Sequence, residues 1–77
     1  MQKIKVDEVN TIGKNIRQLR LAAGIGQTDL VGRLQLIDVK ITRETLVKIE
    51  RGTQHVQLDQ LKGIKQVLDV TYDQLLD

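Results

Sequence analysis

The most informative part of the chain is residues 24–52, which read GIGQTDLVGRLQLIDVKITRETLVKIERG. Apolar residues recur there at helical spacing in two sets, Leu30, Val31 and Leu34, then Leu46 and Ile49. Gly26 and Thr42 are suitable N-cap residues, and Gly52 is a typical C-terminal stop. The sequence therefore predicts one helix that starts directly after Gly26 and another that covers about residues 42–52.

The segment between these two helices is ambiguous. Gln35, Leu36 and Ile37 continue the first helical pattern, whereas residues 37–41 alternate between apolar and polar like an extended segment. The end of the first helix therefore stays open, and a long turn precedes the second.

Further helices are predicted on both sides of this stretch. A helix over about residues 10–23 shows the apolar set Ile12, Ile16, Leu19 and Ala23, and Gly24 with Ile25 suits its C-terminal end. A fourth helix is indicated by Leu58, Leu61, Ile64, Val67 and Leu68. Thr71-x-x-Gln74 is a capping box that opens a fifth. Five helices joined by short loops predict a compact all-α domain over residues 10–77.

Residues 1–9 are expected to form an N-terminal arm outside this domain. Lys3, Ile4, Lys5 and Val6 alternate as in a short strand. The charged composition of the segment suits a disordered arm equally well.

Composition narrows the class of protein. A chain of 77 residues is one domain at most, and one this short buries only about 60% of its unfolded surface. Because it has no Cys, zinc-finger spacing, disulfides and thiol catalysis are excluded. No apolar run is long enough for a membrane span and no signal peptide follows Met1, so we expect a cytoplasmic protein.

Neither a metal site, a cofactor nor catalysis is expected. His55 is the single histidine and has no cysteine partner. Gly24-Ile25-Gly26 is not a nucleotide-binding loop, because Asp29 stands where a third glycine is needed and no strand precedes it. The chain supplies no credible catalytic triad or carboxylate pair, so we do not expect an enzyme.

Charge is unevenly distributed along the chain. Residues 1–26 carry a net charge of +3, residues 27–52 of +1 and residues 53–77 of −2. A basic first part and an acidic last part are compatible with an anionic polymer that binds one face of the domain.

The helix predicted over residues 42–52 combines an apolar seam with an unusually polar face, made of Thr42, Arg43, Glu44, Thr45 and Lys48. In a helix-turn-helix, the second helix enters the major groove and its N-terminal residues reach base edges. Arg suits guanine, Glu accepts from cytosine, and Thr contacts either a base edge or a thymine methyl. A solvent-exposed face with local ion pairs explains the same residue types equally well.

Three blocks of the sequence resemble the lambda-repressor-like family of transcriptional regulators, the Cro/CI or XRE type. Residues 17–30 (RQLRLAAGIGQTDL) look like the family opening xLRxxxGLSQxxL, and residues 42–52 are similar to its recognition helix SRSTISRIERG. Residues 58–76 resemble its closing LxxIAxALGVxxxxLL. The resemblance spans residues 11–77 and implies a five-helix domain that binds double-stranded DNA. Because one such module is small, we expect a homodimer on half-sites about 34 Å apart.

The resemblance also implies roles for individual residues. Base contacts fall to Arg43, Glu44 and Lys48. Phosphate contacts fall to Gln27, Thr42 and Thr45, with Lys40 and Arg51 as further candidates. Arg20 and Glu50 match a buried structural ion pair between the first and third helices, so Glu50 is not expected to act as an acid catalyst.

Two features depart from the usual family pattern. Leu34 and Glu50 lie sixteen residues apart, so the turn holds about five residues more than a standard helix-turn-helix. A subgroup with an LQLxxxxISRxTLxKIExG stretch has a similar turn. Gly26 stands where Ser or Thr is usual, and glycine is a serviceable but weaker cap.

Several positions keep two interpretations. Val47 either meets a thymine methyl or packs against the long turn. Residues 53–55 either contact phosphate or form an ordinary loop.

Residues 68–76 are the candidate dimer surface. The competing function for the whole chain is an antitoxin-like or adaptor module that binds a protein and contacts DNA only secondarily.

Overall fold

Most helices of the structure begin and end close to the predicted signals. The computed structural model describes the backbone of residues 5–77 and the side chains from Thr11 onward. Over this range the chain forms five α-helices and no strand: α1 Lys5–Ala22, α2 Gln27–Leu36, α3 Arg43–Arg51, α4 Leu58–Leu68 and α5 Tyr72–Leu76. The predicted all-α class with five helices is therefore confirmed for the described residues.

The first helix starts earlier than the sequence pattern indicated. Residues 5–9, assigned to the arm, are helical and belong to α1, so a strand through Lys5 and Val6 is wrong. The rest of the predicted arm, residues 1–4, lies outside the described residues. A helix propagates readily once nucleated, and residues 5–9 contain no Gly or Pro to stop it.

The first four helices end in the same hydrogen-bonded motif. At the end of α1, the Gly24 N–H donates to the Leu21 carbonyl and the Ile25 N–H to the Arg20 carbonyl, at 3.0 and 3.1 Å. This is the Schellman arrangement, which needs a left-handed residue after the helix. The left-handed residues of the four helices are Gly24, Asp38, Gly52 and Asp69.

The helix starts show how different caps act. Thr42 Oγ accepts from the Thr45 N–H at 3.1 Å, and Thr71 with Gln74 forms the predicted capping box. Gly26 precedes α2 and supplies no side-chain hydrogen bond. The first turn of α2 therefore keeps backbone N–H groups without a side-chain cap.

Every helix from α1 to α5 contributes to one apolar core. Its fully buried large side chains are Ile16, Leu30, Leu34, Leu46, Ile49, Ile64 and Leu75. α1 packs on α3, α4 and α5, while α2 packs on α3 and α4. Leu58, predicted on the apolar face of α4, is instead 66% exposed.

α1 and α3 approach each other closely at Gly13. A Cβ atom placed on Gly13 would collide with the backbone carbonyl oxygen of Ile49. The two helices are therefore in backbone contact, which brings the next turns of α1 alongside the buried side of α3.

The long turn over residues 37–42 is an ordered part of the core. Val39 and Ile41 are buried, whereas Lys40 between them is exposed. The Gln35 side-chain amide donates to the Ile41 carbonyl at 3.1 Å, which fastens the turn to α2. The turn thus leads to the N-cap of α3 along a fixed path.

Candidate nucleic-acid interface

α3 buries one side and exposes the other. Leu46, Ile49 and Glu50 face the core. The exposed side chains are Arg43, Glu44, Lys48 and Arg51. With 3.6 residues per turn, Glu44, Lys48 and Arg51 form the ridge farthest from the core, and Arg43 and Thr45 occupy opposite flanks.

The Arg43 flank borders a positively charged cleft between α1, the start of α2 and α3. The cleft has a volume of about 380 Å³, and its lining residues are Arg17, Gln27, Arg43, Val47, Glu50 and Arg51. Among the described side chains, the ion pairs are Arg20–Glu50 and Arg33–Asp29. Three exposed arginines therefore share this cleft without a described carboxylate within 4 Å, which makes it attractive to anions.

A buried ion pair supports the floor of the cleft. Arg20 Nε donates to Glu50 Oε2 at 2.7 Å, and the Arg20 Nη2 group donates to Oε1 at 2.9 Å. The Arg20 Nη1 group donates to the Ile25 carbonyl at 2.9 Å. The hydrogen bonds from Arg20 to Glu50 raise the pKa of the guanidinium, against the opposing effect of burial. The pair expected from the resemblance is thus present, and it neutralises Glu50 so that this carboxylate does not offset the arginines.

Gln27 connects the start of α2 to the same pair. Its side-chain amide donates to Glu50 Oε1 at 3.1 Å, which fixes Gln27 at the edge of the cleft. Because Gly26 leaves the first turn of α2 without a side-chain cap, the partial positive charge of this helix end adds to the field of the arginines.

The opposite flank of α3 borders a groove formed with the long turn. This groove has a volume of about 480 Å³, and its lining residues are Gln35, Asp38, Val39, Lys40, Ile41, Thr42 and Thr45. Thr42 Oγ donates to Thr45 Oγ at 3.0 Å. The Thr42 hydroxyl proton is therefore engaged, and that of Thr45 is the one left to donate outward.

The structure gathers the predicted contact residues on one side of the domain. Gln27, Arg43 and Arg51 line the cleft, Lys40, Thr42 and Thr45 line the groove, and Glu44 and Lys48 lie on the ridge between them. Arg17 was missed, although it lies one helical turn before the recognised Arg20 and shares its side of α1. Of the two interpretations of Val47, packing against the long turn is wrong, because Val47 lines the cleft on the other flank.

Residues 53–55 stay close to the end of α3. The Thr53 hydroxyl donates to the Lys48 carbonyl at 3.2 Å. Gln54 and His55 border a small cavity of about 60 Å³ against α1. No group of three or more potential metal ligands occurs among the described residues.

The candidate dimer surface over residues 68–76 is mixed. Leu68 and Leu75 belong to the core, while Tyr72 and Leu76 are partly exposed. The Lys65 ammonium lies 5.1 Å from the centre of the Tyr72 ring. None of the helices in the described part of the chain is long and apolar enough to cross a membrane.

Comparison with known proteins gives no identification. No protein family, no curated protein and no solved structure matches this chain. The assignment of function therefore rests on the residues and the geometry described above.

Proposed function

We propose that this chain is a lambda-repressor-like helix-turn-helix protein that binds double-stranded DNA with α3 in the major groove and regulates transcription. The observation that carries the proposal is the composition of the α3 surface. Its exposed ridge has hydrogen-bonding side chains, and beside it lies a cleft with three arginines and no described carboxylate partner. Arginine is well suited both to phosphate and to guanine edges.

The two flanks of α3 carry the proposed contacts to the DNA phosphates. Arg17, Gln27 and Arg51 in the cleft are the proposed phosphate contacts on one side, and Lys40 with Thr45 on the other. Such contacts fix the orientation of a protein on the duplex. Thr42 serves mainly as the cap of α3, because its hydroxyl is already bonded to Thr45.

The ridge and the N-terminal turn of α3 supply the proposed base contacts. Arg43, Glu44 and Lys48 are exposed, and they occupy the part of a recognition helix that reaches base edges. Arg43 and Lys48 favour guanine and Glu44 favours cytosine. A site rich in G·C pairs is therefore expected.

The test is selection of bound duplexes from a random DNA pool, followed by titration of variants on the selected site. Arg43→Ala should lose about 1–3 kcal/mol of binding free energy and relax the preference at one base position. Lys62→Ala is the matched control, because it removes the same charge from an exposed position on α4 that lies outside the cleft. This control should bind nearly like the unmodified protein.

Two outcomes would contradict parts of the proposal. If Arg43→Ala weakens binding to all sequences equally, Arg43 is a phosphate contact and not a base contact. If the protein binds no duplex at about 50 mM salt, where electrostatic binding is strong, the DNA-binding function is wrong. That result would favour the alternative function, an antitoxin-like or adaptor module that binds a protein.

A further inference from the structure

The long turn before α3 rests on α4 at a notch formed by Gly63. Val39 is 8% exposed. A Cβ atom at Gly63 would lie 2.7 Å from Val39 Cγ2 and 3.0 Å from Leu34 Cδ2. Because real Cβ atoms essentially never come as close as 2.7 Å to another heavy atom, this packing requires that residue 63 has no side chain.

Two observations show why the contact between Gly63 and Val39 leaves no room for a larger side chain. Gly63 lies inside α4, where glycine is unfavourable relative to alanine, so its presence there fits a requirement for space. Val39 is β-branched and its side chain has few rotamers. A methyl group at residue 63 would therefore press on a side chain that has little freedom to rotate away, and we expect the turn to shift in response.

The turn transmits its position directly to α3. The Val39 N–H donates to the Leu34 carbonyl at 3.0 Å, and the Ile41 carbonyl accepts from Gln35 at 3.1 Å. The next residue, Thr42, is the N-cap of α3. Only two residues, Lys40 and Ile41, separate Val39 from this cap, and both neighbours of Lys40 are buried.

We propose that Gly63 and Val39 act as positioning residues that set the direction of α3, although neither contacts DNA. This inference rests on the proposed function, and it specifies how α3 is oriented after a turn that is longer than in a standard helix-turn-helix. The packing of Val39 against α4 takes the place of the short turn that fixes the relative orientation of the two helices in a standard helix-turn-helix.

The experiment compares Gly63→Ala with the double variant V39A/G63A and with Gly32→Ala as control. Gly32 is exposed in α2 and has no atom within 4 Å of a built Cβ, so the same substitution there adds helix propensity without a collision. The readouts are the melting temperature, the backbone amide NMR shifts of residues 39–46, and the affinity for the selected duplex.

Gly63→Ala should lower the melting temperature, move the amide resonances of residues 39–46 and weaken specific binding by roughly tenfold or more, as expected when a base contact is misplaced. V39A/G63A should reverse most of these changes in melting temperature, amide resonances and affinity, because the smaller side chain at residue 39 makes room for the added methyl group. Gly32→Ala should raise the melting temperature by a few degrees and leave these resonances and the affinity unchanged.

The proposal is overturned if Gly63→Ala, like Gly32→Ala, leaves the amide resonances and the affinity unchanged. It is also overturned if the double variant restores neither the melting temperature, the resonances nor the affinity, because the collision would then lie at Leu34 instead. An unfolded Gly63→Ala together with a folded, binding V39A/G63A supports it. If the unmodified protein binds no DNA, the proposed function fails, while the resonances of residues 39–46 still decide whether Gly63 sets the position of α3.

Discussion

The Arg20–Glu50 pair is the residue contact on which the proposed interface depends most. Both side chains are buried, and each hydrogen bond joins α1 to α3 or to the loop before α2. A buried charge is costly when it has no partner. The pair therefore stabilises the relative placement of the cleft walls, and its loss should affect folding before it affects binding.

Glu50→Gln should lower the free energy of unfolding by about 3–5 kcal/mol, because it leaves the Arg20 charge buried without its carboxylate. Urea unfolding followed by circular dichroism measures this. Asp29→Asn is the matched control: it breaks the exposed Arg33–Asp29 pair, and such pairs contribute at most about 1 kcal/mol. Equal losses in the two variants would contradict the structural role of Glu50.

The pH dependence of this contribution follows from the raised pKa of Arg20. A group whose pKa is raised on folding stabilises the folded state below its unfolded pKa, and that stabilisation is lost only as the pH rises through the folded value. For an arginine this range is strongly alkaline. The contribution of Arg20 should therefore be constant through neutral pH.

Residue roles were only partly predictable from the sequence. The Arg20–Glu50 pair was found by resemblance, since no spacing rule links residues thirty positions apart. Arg17 has no signal of its own, because a surface arginine on a helix looks the same whether or not it faces a cleft. Only the close approach of α1 to α3 at Gly13 makes it part of the candidate site.

Among the elements, helix ends were predicted well where glycine or threonine marks them. Gly24, Gly52, Thr42 and Thr71 all act as the sequence indicated. The ends of α2 and α4 use Asp38 and Asp69 in left-handed conformations. Aspartate tolerates this conformation but is common elsewhere, so the sequence did not distinguish the two positions.

Gly24 and Gly32 allow a direct test of how backbone conformation affects helix stability. Both are exposed, and a Cβ built on either one meets nothing within 4 Å, but only Gly24 has a positive φ, of 74°. Gly24→Ala should destabilise the protein by about 1–2 kcal/mol. Gly32→Ala should stabilise it by about 0.5–1 kcal/mol, and thermal unfolding measures both.

A change of the same sign in the two variants would show that the α1 terminus is not held as described. Gly13→Ala is not a useful comparison, because its Cβ would collide with the backbone of α3 and would combine helix propensity with overpacking.

The molecule as a whole is compact and electrically asymmetric. Its radius of gyration of 11.7 Å is close to the roughly 11.5 Å expected for a chain of this length. The basic groups of the cleft and groove belong to α1, α3 and the long turn, whereas residues 53–77 are net acidic. This distribution would orient the α3 side towards a polyanion.

Salt should therefore weaken DNA binding in a defined way. With Arg17, Lys40 and Arg51 on phosphates, the slope of log K against log salt should be about −3 for one bound domain, and about −5 when two copies bind together. Fluorescence anisotropy at several salt concentrations measures the slope, and Arg17→Ala should reduce its magnitude by about 1 per domain. A slope near zero would exclude phosphate binding by these residues.

The overall class was predictable because periodic apolar residues and helix-end signals agree along most of the chain. The path of the long turn was not, because alternating residues 37–41 fit an extended segment on any surface. Val39 has a definite seat only because Gly63, more than twenty residues later, leaves space for it. Contacts between residues so far apart in sequence are not encoded in local patterns.

The backbone contact between α1 and α3 at Gly13 has a mechanical consequence. Helices normally slide past each other on an intervening layer of side chains, and small shear motions use that layer. At Gly13 no such layer separates the two backbones, so sliding of α1 along α3 is restricted there, which helps to fix the spacing of Arg17 from Arg43 and Arg51 before any anion arrives. We therefore expect an anion to bind there with little ordering of the cleft and with less loss of conformational entropy on association.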